Sequence, residues 1–325
     1  KREVNIFREG EIAVAKEKII LDCDPGHDDA VAIMLAGINP KIELLGITVV
    51  AGNQKLEKTV NNALKICNHL NLNVPIYAGM SKPMVREQLT AGNIHGKTGL
   101  DGPKFDELKI KAEDKHAVNF IIDTLMNSDE KITLVPIGPL TNIGMAMRFE
   151  PKIIEKINRI VLMGGSYQLG NTTPAAEFNI LADPEAAHIV FTSGVKLVMM
   201  GLDLTRQALA TKEVVDKIRT LNNKASRVFV ESMEFFTSAQ KNIFGLNAPP
   251  VHDPTTIAYI IDPECIEVKP MFCEIELWSE KSYGRTICDY FGILKKEPNV
   301  DVAVKLDFDR FWNLVYENFK LYDNL

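Results

Sequence analysis

The chain has 325 residues, 46% of them hydrophobic, and a formal net charge of −6 at pH 7, which is the composition of a globular protein with a large core. Acidic and basic residues are interspersed, so nothing predicts a nucleic acid partner. No segment approaches the roughly 18 apolar residues that a membrane span needs, and the N-terminus lacks a signal-peptide core. The five cysteines are scattered and form no CxxC pair, which disfavours zinc and disulfides and favours reduced thiols in the cytoplasm.

Apolar runs alternate with helical segments along most of the chain. Residues 1–17 are charged and precede the first such run, so we interpret them as an extension or an expression remnant and assign 18–325 to one domain. The predicted strands are 19–21, 44–50, 74–78, 132–136, 160–165 and 196–203. The predicted helices are 30–36, 56–70, 116–126, 211–221, 225–242 and 308–322. This alternation predicts an α/β fold with an open, mostly parallel central sheet flanked by helices.

Four aspartates follow the first predicted strand. Asp22 and Asp24 share the strand period of two, while Asp28 and Asp29 open the next helix, whose positive end favours carboxylates. If the four converge in a dry pocket, their pKa values rise or they hold a cation. Oxygen ligands suit a hard ion, and Ca²⁺ tolerates looser geometry than Mg²⁺. The alternative is a helix cap with solvated acids, and His27 is interpreted as a loop residue.

The run DCDPGHDDAVAIMLA (22–36) closely resembles the signature of the inosine-uridine preferring nucleoside hydrolase family, and its histidine variant resembles the pyrimidine-specific ribonucleoside hydrolases. Further resembling segments are AGNQ (51–54), NIHGKTGLDGP (93–103), LVPIGPLTN (134–142), VLMGG (161–165), AEFNILADPEAA (176–187), GLDLT (201–205) and HDP (252–254). The resemblance implies a nucleoside hydrolase fold with a Rossmann-like core and hydrolysis of ribonucleosides, uridine and cytidine first, to base and ribose. It also implies Ca²⁺ as cofactor and a homo-oligomer, either a dimer or a tetramer.

The resemblance implies a metal site and a catalytic pair. Ca²⁺ would be held by Asp24, Asp29, the backbone carbonyl of Ile137 and Asp253, and would bind a water and the ribose hydroxyls. Relatives often carry Thr where this chain has Ile137, but the implied ligand there is backbone oxygen. Asp24 would accept a proton from the water, and His252 would be the candidate acid beside the leaving base. Without the resemblance, the alternative interpretation of Asp253 is a helix N-cap.

The resemblance also implies substrate contacts. The residues expected at the ribose are Asp28, Asn53, Met163, Asn171, Glu177 and Asn179. Those expected at the base are His95, Gln240 and Phe244. Their alternatives are turn or loop polarity for the first group, a solvated loop histidine, and core packing for the phenylalanine. Phe244 stands where pyrimidine-specific relatives usually carry Tyr, which leaves the base preference open between pyrimidine, purine and nonspecific cleavage.

Two rival functions fit part of the pattern. A DxD motif after a strand also opens haloacid-dehalogenase-type phosphatases, but there Thr or Val with Leu follows the second Asp, and here Pro25 and Gly26 follow. A non-catalytic, Ca²⁺-dependent nucleoside-binding protein would use the same ribose contacts. Release of phosphate from a nucleotide would favour the first rival, and stable binding without free ribose would favour the second.

Overall fold

The computed structural model of the protein describes residues 16–91, 96–245 and 247–324. Within this part the strands are β1 (Glu17–Cys23), β2 (Ile42–Val49), β3 (Ile76–Ala78), β4 (Ile132–Pro136), β5 (Ile157–Met163), β6 (Leu197–Met200), β7 (Ile266–Met271), β8 (Cys273–Ile275), β9 (Thr286–Cys288) and β10 (Val300–Leu306). The helices are α1 (His27–Ile38), α2 (Leu56–His69), α3 (Ala117–Met126), α4 (Thr141–Phe149), α5 (Phe178–Ala182), α6 (Pro184–Phe191), α7 (Leu202–Thr205), α8 (Lys212–Arg219), α9 (Lys224–Phe244), α10 (Pro254–Ile261) and α11 (Phe308–Lys320). Short 3₁₀ segments are Pro151–Lys156, Pro263–Cys265 and Leu321–Asn324.

Eight of these described strands form one sheet in the order β3-β2-β1-β4-β5-β6-β10-β7. All neighbouring pairs are parallel except β10 with β7, which is antiparallel at one edge. Strands β8 and β9 form a separate antiparallel pair. The prediction of an open, mostly parallel sheet is confirmed.

The order of the strands creates a crevice beside β1. The chain runs outward from β1 to β2 and β3 on one side, then returns to place β4, β5 and β6 on the other. Helices that follow neighbouring strands therefore leave the sheet in opposite directions at β1 and β4. In open α/β sheets, ligands bind outside the carboxyl ends of the strands at such a switch point.

The sheet separates two apolar cores, as alternation along a fully buried strand requires. In β1, Ile19 and Leu21 pack into one core, which also contains the apolar face of α1, while Ile20 packs into the other. In β4, Val135 joins the first core and Leu134 the second. Every residue of β4 is buried, so this central part of the sheet is a rigid support for the loops at its carboxyl edge.

Several predicted boundaries and one residue assignment differ from the structure. The strand predicted over 196–203 ends at Met200, because Gly201 becomes the N-cap of α7 and the Leu202 N–H donates to the Gly165 carbonyl instead of continuing the sheet. The strand predicted over 74–78 contains only Ile76–Ala78. The loop assignment of His27 is wrong, since His27 is the first residue of α1. No helix in the described ranges is both long enough and apolar enough to cross a membrane.

Candidate active site

The turn between β1 and α1 is fixed by the carboxylate of Asp29. After β1 the sequence Pro25-Gly26 stops the strand, and Gly26 becomes the N-cap of α1. The two oxygens of Asp29 accept hydrogen bonds from the Gly26 N–H at 2.9 Å and the Asp24 N–H at 3.2 Å. Asp29 therefore caps unpaired N–H groups at the helix start, as predicted for acids in a first turn. Unlike an ordinary cap it is completely buried.

Three carboxylates from two distant segments meet beside this turn. Side-chain oxygens of Asp28, Asp29 and Asp253 lie within 4.8 Å of one another, and all three residues are buried. Asp253 occupies the N-cap position of α10, yet its side chain makes no capping hydrogen bond. The carboxylate faces the other two acids instead of the helix that it precedes. Such a group of buried hard oxygen donors could bind a metal ion.

Asp24 lies next to this acidic group and is oriented by Asn53. Its Oδ2 accepts a hydrogen bond from the Asn53 N–H at 2.6 Å, and the Asn53 side chain donates to the Asp24 carbonyl at 3.2 Å and to Asp29 Oδ2 at 3.5 Å. Oδ1 of Asp24 is buried and has no hydrogen-bond partner among the described residues. A buried carboxylate oxygen without a donor is costly, and a cation or an ordered water would relieve that cost.

Asp22 is held apart from the acidic group by two polar residues. Its Oδ1 accepts hydrogen bonds from Thr48 Oγ1 at 2.5 Å and Asn142 Nδ2 at 2.8 Å. The Asn142 side-chain oxygen accepts from the Met80 N–H at 2.8 Å, so this residue ties β1 to the loop after β3. Four aspartates were expected to converge, but Asp22 bonds to Thr48 and Asn142 instead. These hydrogen bonds stabilise the carboxyl end of β1. The roles of Thr48 and Asn142 escaped the sequence reasoning, although LVPIGPLTN contains the asparagine.

Burial raises the pKa values throughout this acidic region. Desolvation is the largest cause at Asp24, Asp28, Asp29 and Asp253, and repulsion from neighbouring carboxylates adds to it at each of them except Asp29. The pKa of Asp28 rises from 3.8 to about 7, and that of Asp22 also reaches about 7 through desolvation. So many carboxylates cannot all be ionised at neutral pH without a compensating positive charge.

The opposite wall of the crevice comes from the ends of β4 and β5. Asn179 Nδ2 donates to the Ile137 carbonyl at 2.8 Å and to the Met163 carbonyl at 3.1 Å. A carbonyl oxygen has two lone pairs, so Ile137 keeps one for another partner. Glu177 is the N-cap of α5, and its Oε2 also accepts from the Gly165 N–H at 2.9 Å. Desolvation raises the pKa of Glu177 to about 7.

Asn171 lies in the loop that precedes α5. Its Oδ1 accepts hydrogen bonds from the Phe178 N–H at 2.9 Å and from the Thr172 hydroxyl at 3.2 Å. Arg206 holds the same loop by donating to the Leu169 and Gly170 carbonyls, at 3.3 and 2.8 Å. Asn171 therefore stabilises the start of α5, the helix that carries Asn179.

His252 faces the acidic group from the loop before α10. Its backbone N–H donates to Asp28 Oδ2 at 3.3 Å, and its ring Nδ1 lies 2.7 Å from the Thr205 hydroxyl. Desolvation, with a contribution from Arg206, lowers the pKa of His252 from 6.5 to about 4. The ring is therefore neutral at physiological pH, and a neutral imidazole can donate one hydrogen bond and accept another.

The side chains of the three expected base contacts lie outside the part of the chain that the structure describes. His95 is outside the described residues, and so are the side chains of Gln240 and Phe244 in α9. His27 contacts α9 and Asp101: its ring stacks on Phe235 at 5.2 Å between centroids, and its Nε2 is 2.8 Å from the Asp101 carbonyl. It therefore joins α1 to α9 and to the loop that follows His95.

Comparison with known proteins matches nearly the whole chain to nucleoside hydrolases. Residues 19–313 match the family described as inosine-uridine preferring nucleoside hydrolase. The chain is 56% identical over 302 residues to the pyrimidine-specific ribonucleoside hydrolase RihB of Escherichia coli O1:K1. The aligned region covers 93% of this chain and 96% of that relative. A solved structure, the purine-preferring ribonucleoside hydrolase from Gardnerella vaginalis, has a TM-score of 0.88 at 35% identity and covers 95% of this chain and 100% of its own. The plant nucleoside hydrolase PpNRh1 has a TM-score of 0.87 at 27% identity, covering 94% and 99% of the two chains.

Proposed function

The chain belongs to the inosine-uridine preferring nucleoside hydrolase family and is an enzyme that hydrolyses nucleosides to free base and ribose, and we propose that its preferred substrates are the pyrimidine ribonucleosides uridine and cytidine. The observation that carries the chemistry is the buried acidic group at the switch point of the sheet. Family membership sets aside both the phosphatase and the non-catalytic binding protein as interpretations of the same aspartates.

We propose Ca²⁺ as the metal, held by Asp24, Asp29, Asp253 and the Ile137 carbonyl. The fit rests on the donor set, which is all oxygen and completely buried, and on the Asp24 oxygen that has no partner in the described part of the chain. Asp28 is close enough to the same acids to be a further ligand or to bind a ribose hydroxyl. When bound, the cation would supply the positive charge that makes a nearby water more acidic and attracts the ribose hydroxyls.

The carboxylate of Asp24 is the proposed general base. It would take a proton from the attacking water, whose oxygen then bonds to C1′ of the ribose as the bond from C1′ to the base breaks. The Asn53 N–H orients the carboxylate. Burial raises the pKa of Asp24 in the metal-free protein, and a bound cation would lower that pKa and keep the carboxylate ionised, as a base requires. His252 would stabilise the departing base, which gains negative charge at O2 in a pyrimidine. Met163, Asn171, Glu177 and Asn179 remain the proposed ribose contacts, with Asn53.

The position of Asp24 depends on the absence of a side chain at Gly52. A Cβ at Gly52 would lie 2.1 Å from Asp24 Oδ2 and 2.7 Å from Pro139 Cδ. We expect Gly52→Ala to displace the carboxylate, to cost about 1–3 kcal/mol of stability and to lower kcat about 10-fold or more. Steady-state hydrolysis and chemical unfolding would measure both effects.

Gly194→Ala is the matched control for that substitution. Its Cβ would meet nothing within 4 Å, and the cost of order 1–2 kcal/mol comes only from its φ of +81°. Both variants should therefore lose similar stability, while only Gly52→Ala loses turnover. Equal kcat values in the two variants would mean that the Asp24 carboxylate need not occupy its observed position.

The raised carboxylate pKa values predict how Ca²⁺ stabilises the protein at different pH. The folded pKa of Asp28 is about 7, whereas the unfolded value is near 3.8, so the folded state binds more protons between these values. Stability of the metal-free protein should therefore fall as pH rises through this window. Because Ca²⁺ competes with those protons, we expect the rise in Tm caused by Ca²⁺ to be small near about pH 5 and larger near about pH 8. A pH-independent Ca²⁺ effect in differential scanning calorimetry would exclude the acidic group as the site.

The preference for pyrimidines is supported by the 56% identity to a pyrimidine-specific enzyme, against 35% to a purine-preferring one. It is also supported by His27, because the histidine variant of the DCDPGHDD run (22–29) resembles the pyrimidine-specific relatives. The test is the initial rate of ribose release from uridine, cytidine and inosine at equal concentrations. Faster release from uridine and cytidine is the expected result. Faster release from inosine would overturn the preference while leaving the family activity intact.

We further propose a cytoplasmic homo-oligomer, a dimer or tetramer. The compartment is supported by the five cysteines, which are all free thiols. Association is supported by large apolar side chains on the surface, of which Trp278, Phe291 and Ile293 are 93%, 82% and 74% exposed. Light scattering coupled to size-exclusion chromatography would distinguish a monomer from both assemblies.

A further inference from the structure

Thr205 contacts His252, the residue proposed to stabilise the departing base. The segment that carries Thr205 has no other proposed role in the reaction. Thr205 is the last residue of α7, is fully buried, and places its Oγ1 2.7 Å from Nδ1 of His252. The two residues are 47 positions apart, so the contact joins the end of β6 to the start of α10. Among the described residues this hydroxyl has no other side-chain or backbone partner.

The burial of Thr205 decides the direction of this hydrogen bond. If the hydroxyl only accepted a proton from Nδ1, its own hydrogen would be buried without an acceptor, which is unfavourable. If the hydroxyl donates to Nδ1, both groups are satisfied, and the proton of the neutral ring must lie on Nε2. We infer that Thr205 is a positioning residue that fixes His252 in the tautomer with Nε2–H and fixes the plane of its ring. This inference rests on the proposed role of His252.

The tautomer matters for the departure of a pyrimidine. As the bond between C1′ and N1 breaks, its electron pair moves into the base and negative charge grows on O2. An Nε2–H group can donate a hydrogen bond to that oxygen, whereas the other tautomer would present a lone pair and repel it. Thr205 would therefore raise kcat without touching the substrate.

The segment that carries Thr205 is firmly held, as a positioning residue requires. Asp203 Oδ2 accepts a hydrogen bond from the Tyr167 N–H at 2.7 Å, and Arg206 donates to the Gly170 carbonyl at 2.8 Å. Both contacts bind α7 to the loop before α5. The Thr205 hydroxyl is therefore held in a fixed position beside the carboxyl edge of the sheet.

The test compares two leaving groups in Thr205→Val and Thr205→Ser. Cleavage of uridine requires a hydrogen bond or a proton at the departing base. p-Nitrophenyl riboside releases a nitrophenolate, which is stable enough to leave without protonation. We expect Thr205→Val to lower kcat for uridine about 10- to 100-fold, with a loss several-fold smaller for the nitrophenyl riboside. Thr205→Ser keeps the hydroxyl and should restore most of the uridine activity. Equal losses on both substrates, or no loss on uridine, would overturn the inference.

His252→Ala separates failure of this inference from failure of the proposed function. If His252→Ala also loses uridine hydrolysis selectively while Thr205→Val does not, only the role of Thr205 is wrong. If His252→Ala affects both substrates equally, the leaving-group role of His252 is itself wrong.

Histidine ¹⁵N NMR spectra report the tautomer of His252 independently of catalytic turnover. The His252 resonances, assigned by their absence in His252→Ala, should report the Nε2–H tautomer in the wild type. In Thr205→Val they should report a mixture of tautomers, and in Thr205→Ser the wild-type form. An unchanged tautomer in Thr205→Val would contradict the inference even if that variant were less active.

Discussion

Asp24→Asn should lower kcat for uridine by about 10²- to 10⁴-fold, because the amide cannot accept a proton from water. The fold should survive, since the amide oxygen can still accept the hydrogen bond from the Asn53 N–H that Oδ2 accepts now. Removing one of several crowded carboxylates also relieves repulsion that raises the pKa of its neighbours. We therefore expect the metal-free variant to melt at or above the wild-type temperature.

Asp183→Asn makes the same isosteric change at another buried carboxylate. Asp183 caps α6 through the Ala186 N–H at 3.1 Å and accepts from the Thr141 hydroxyl at 2.7 Å, away from the acidic group. Its kcat should remain within a few-fold of wild type. Near-normal turnover of Asp24→Asn, measured as ribose release at saturating uridine, would remove Asp24 from the role of base.

Asp253→Asn should weaken Ca²⁺ binding by about 100-fold, because one negative charge leaves a site whose affinity depends on charge. The carboxylate is buried, makes no capping bond to α10 and lies within 4.8 Å of Asp28 and Asp29. Isothermal titration calorimetry of the metal-free protein would measure the change directly. High Ca²⁺ should restore much of the activity of this variant, and should not restore that of Asp24→Asn, since only the latter lacks the base.

Asp262→Asn is the matched control at the other end of the same helix. Asp262 pairs with Arg310 at 2.5 Å and lies outside the acidic group. Its Ca²⁺ affinity should equal that of the wild type. If Asp253→Asn bound Ca²⁺ as tightly as Asp262→Asn, the cation would have to bind elsewhere.

The sequence predicted the sheet because its strands are continuous apolar runs bounded by turn residues. It also predicted the first half of the site, since Asp24, Asp28 and Asp29 lie within six positions of one another. The position of Asp253 beside them could not be derived from local pattern: more than two hundred residues separate it from Asp29. Only the resemblance of HDP (252–254) to a family segment indicates it, because the local pattern also fits an N-cap.

The errors have a common physical cause, which is that apolar periodicity does not show where an element ends. The run that forms β6 continues as Leu202 and Leu204, which are buried in α7 instead of a strand. Pro25 and Gly26 before His27 indicate a loop, yet Gly26 is the N-cap of α1 and His27 begins the helix. Contacts such as Thr205 with His252 and Asn142 with Asp22 depend on tertiary packing and leave no trace in spacing.

Release of ribose from uridine, before and after removal of metal, is the most direct test of a metal-dependent hydrolase built on the acidic group. The enzyme would be treated with a chelator, assayed, and then titrated with Ca²⁺, with Mg²⁺ in a parallel series and inosine as the second substrate. We expect activity to disappear with the chelator, to return with Ca²⁺ more fully than with Mg²⁺, and to favour uridine. Undiminished release of ribose from protein that elemental analysis shows to be free of metal would contradict the proposed role of the acidic group.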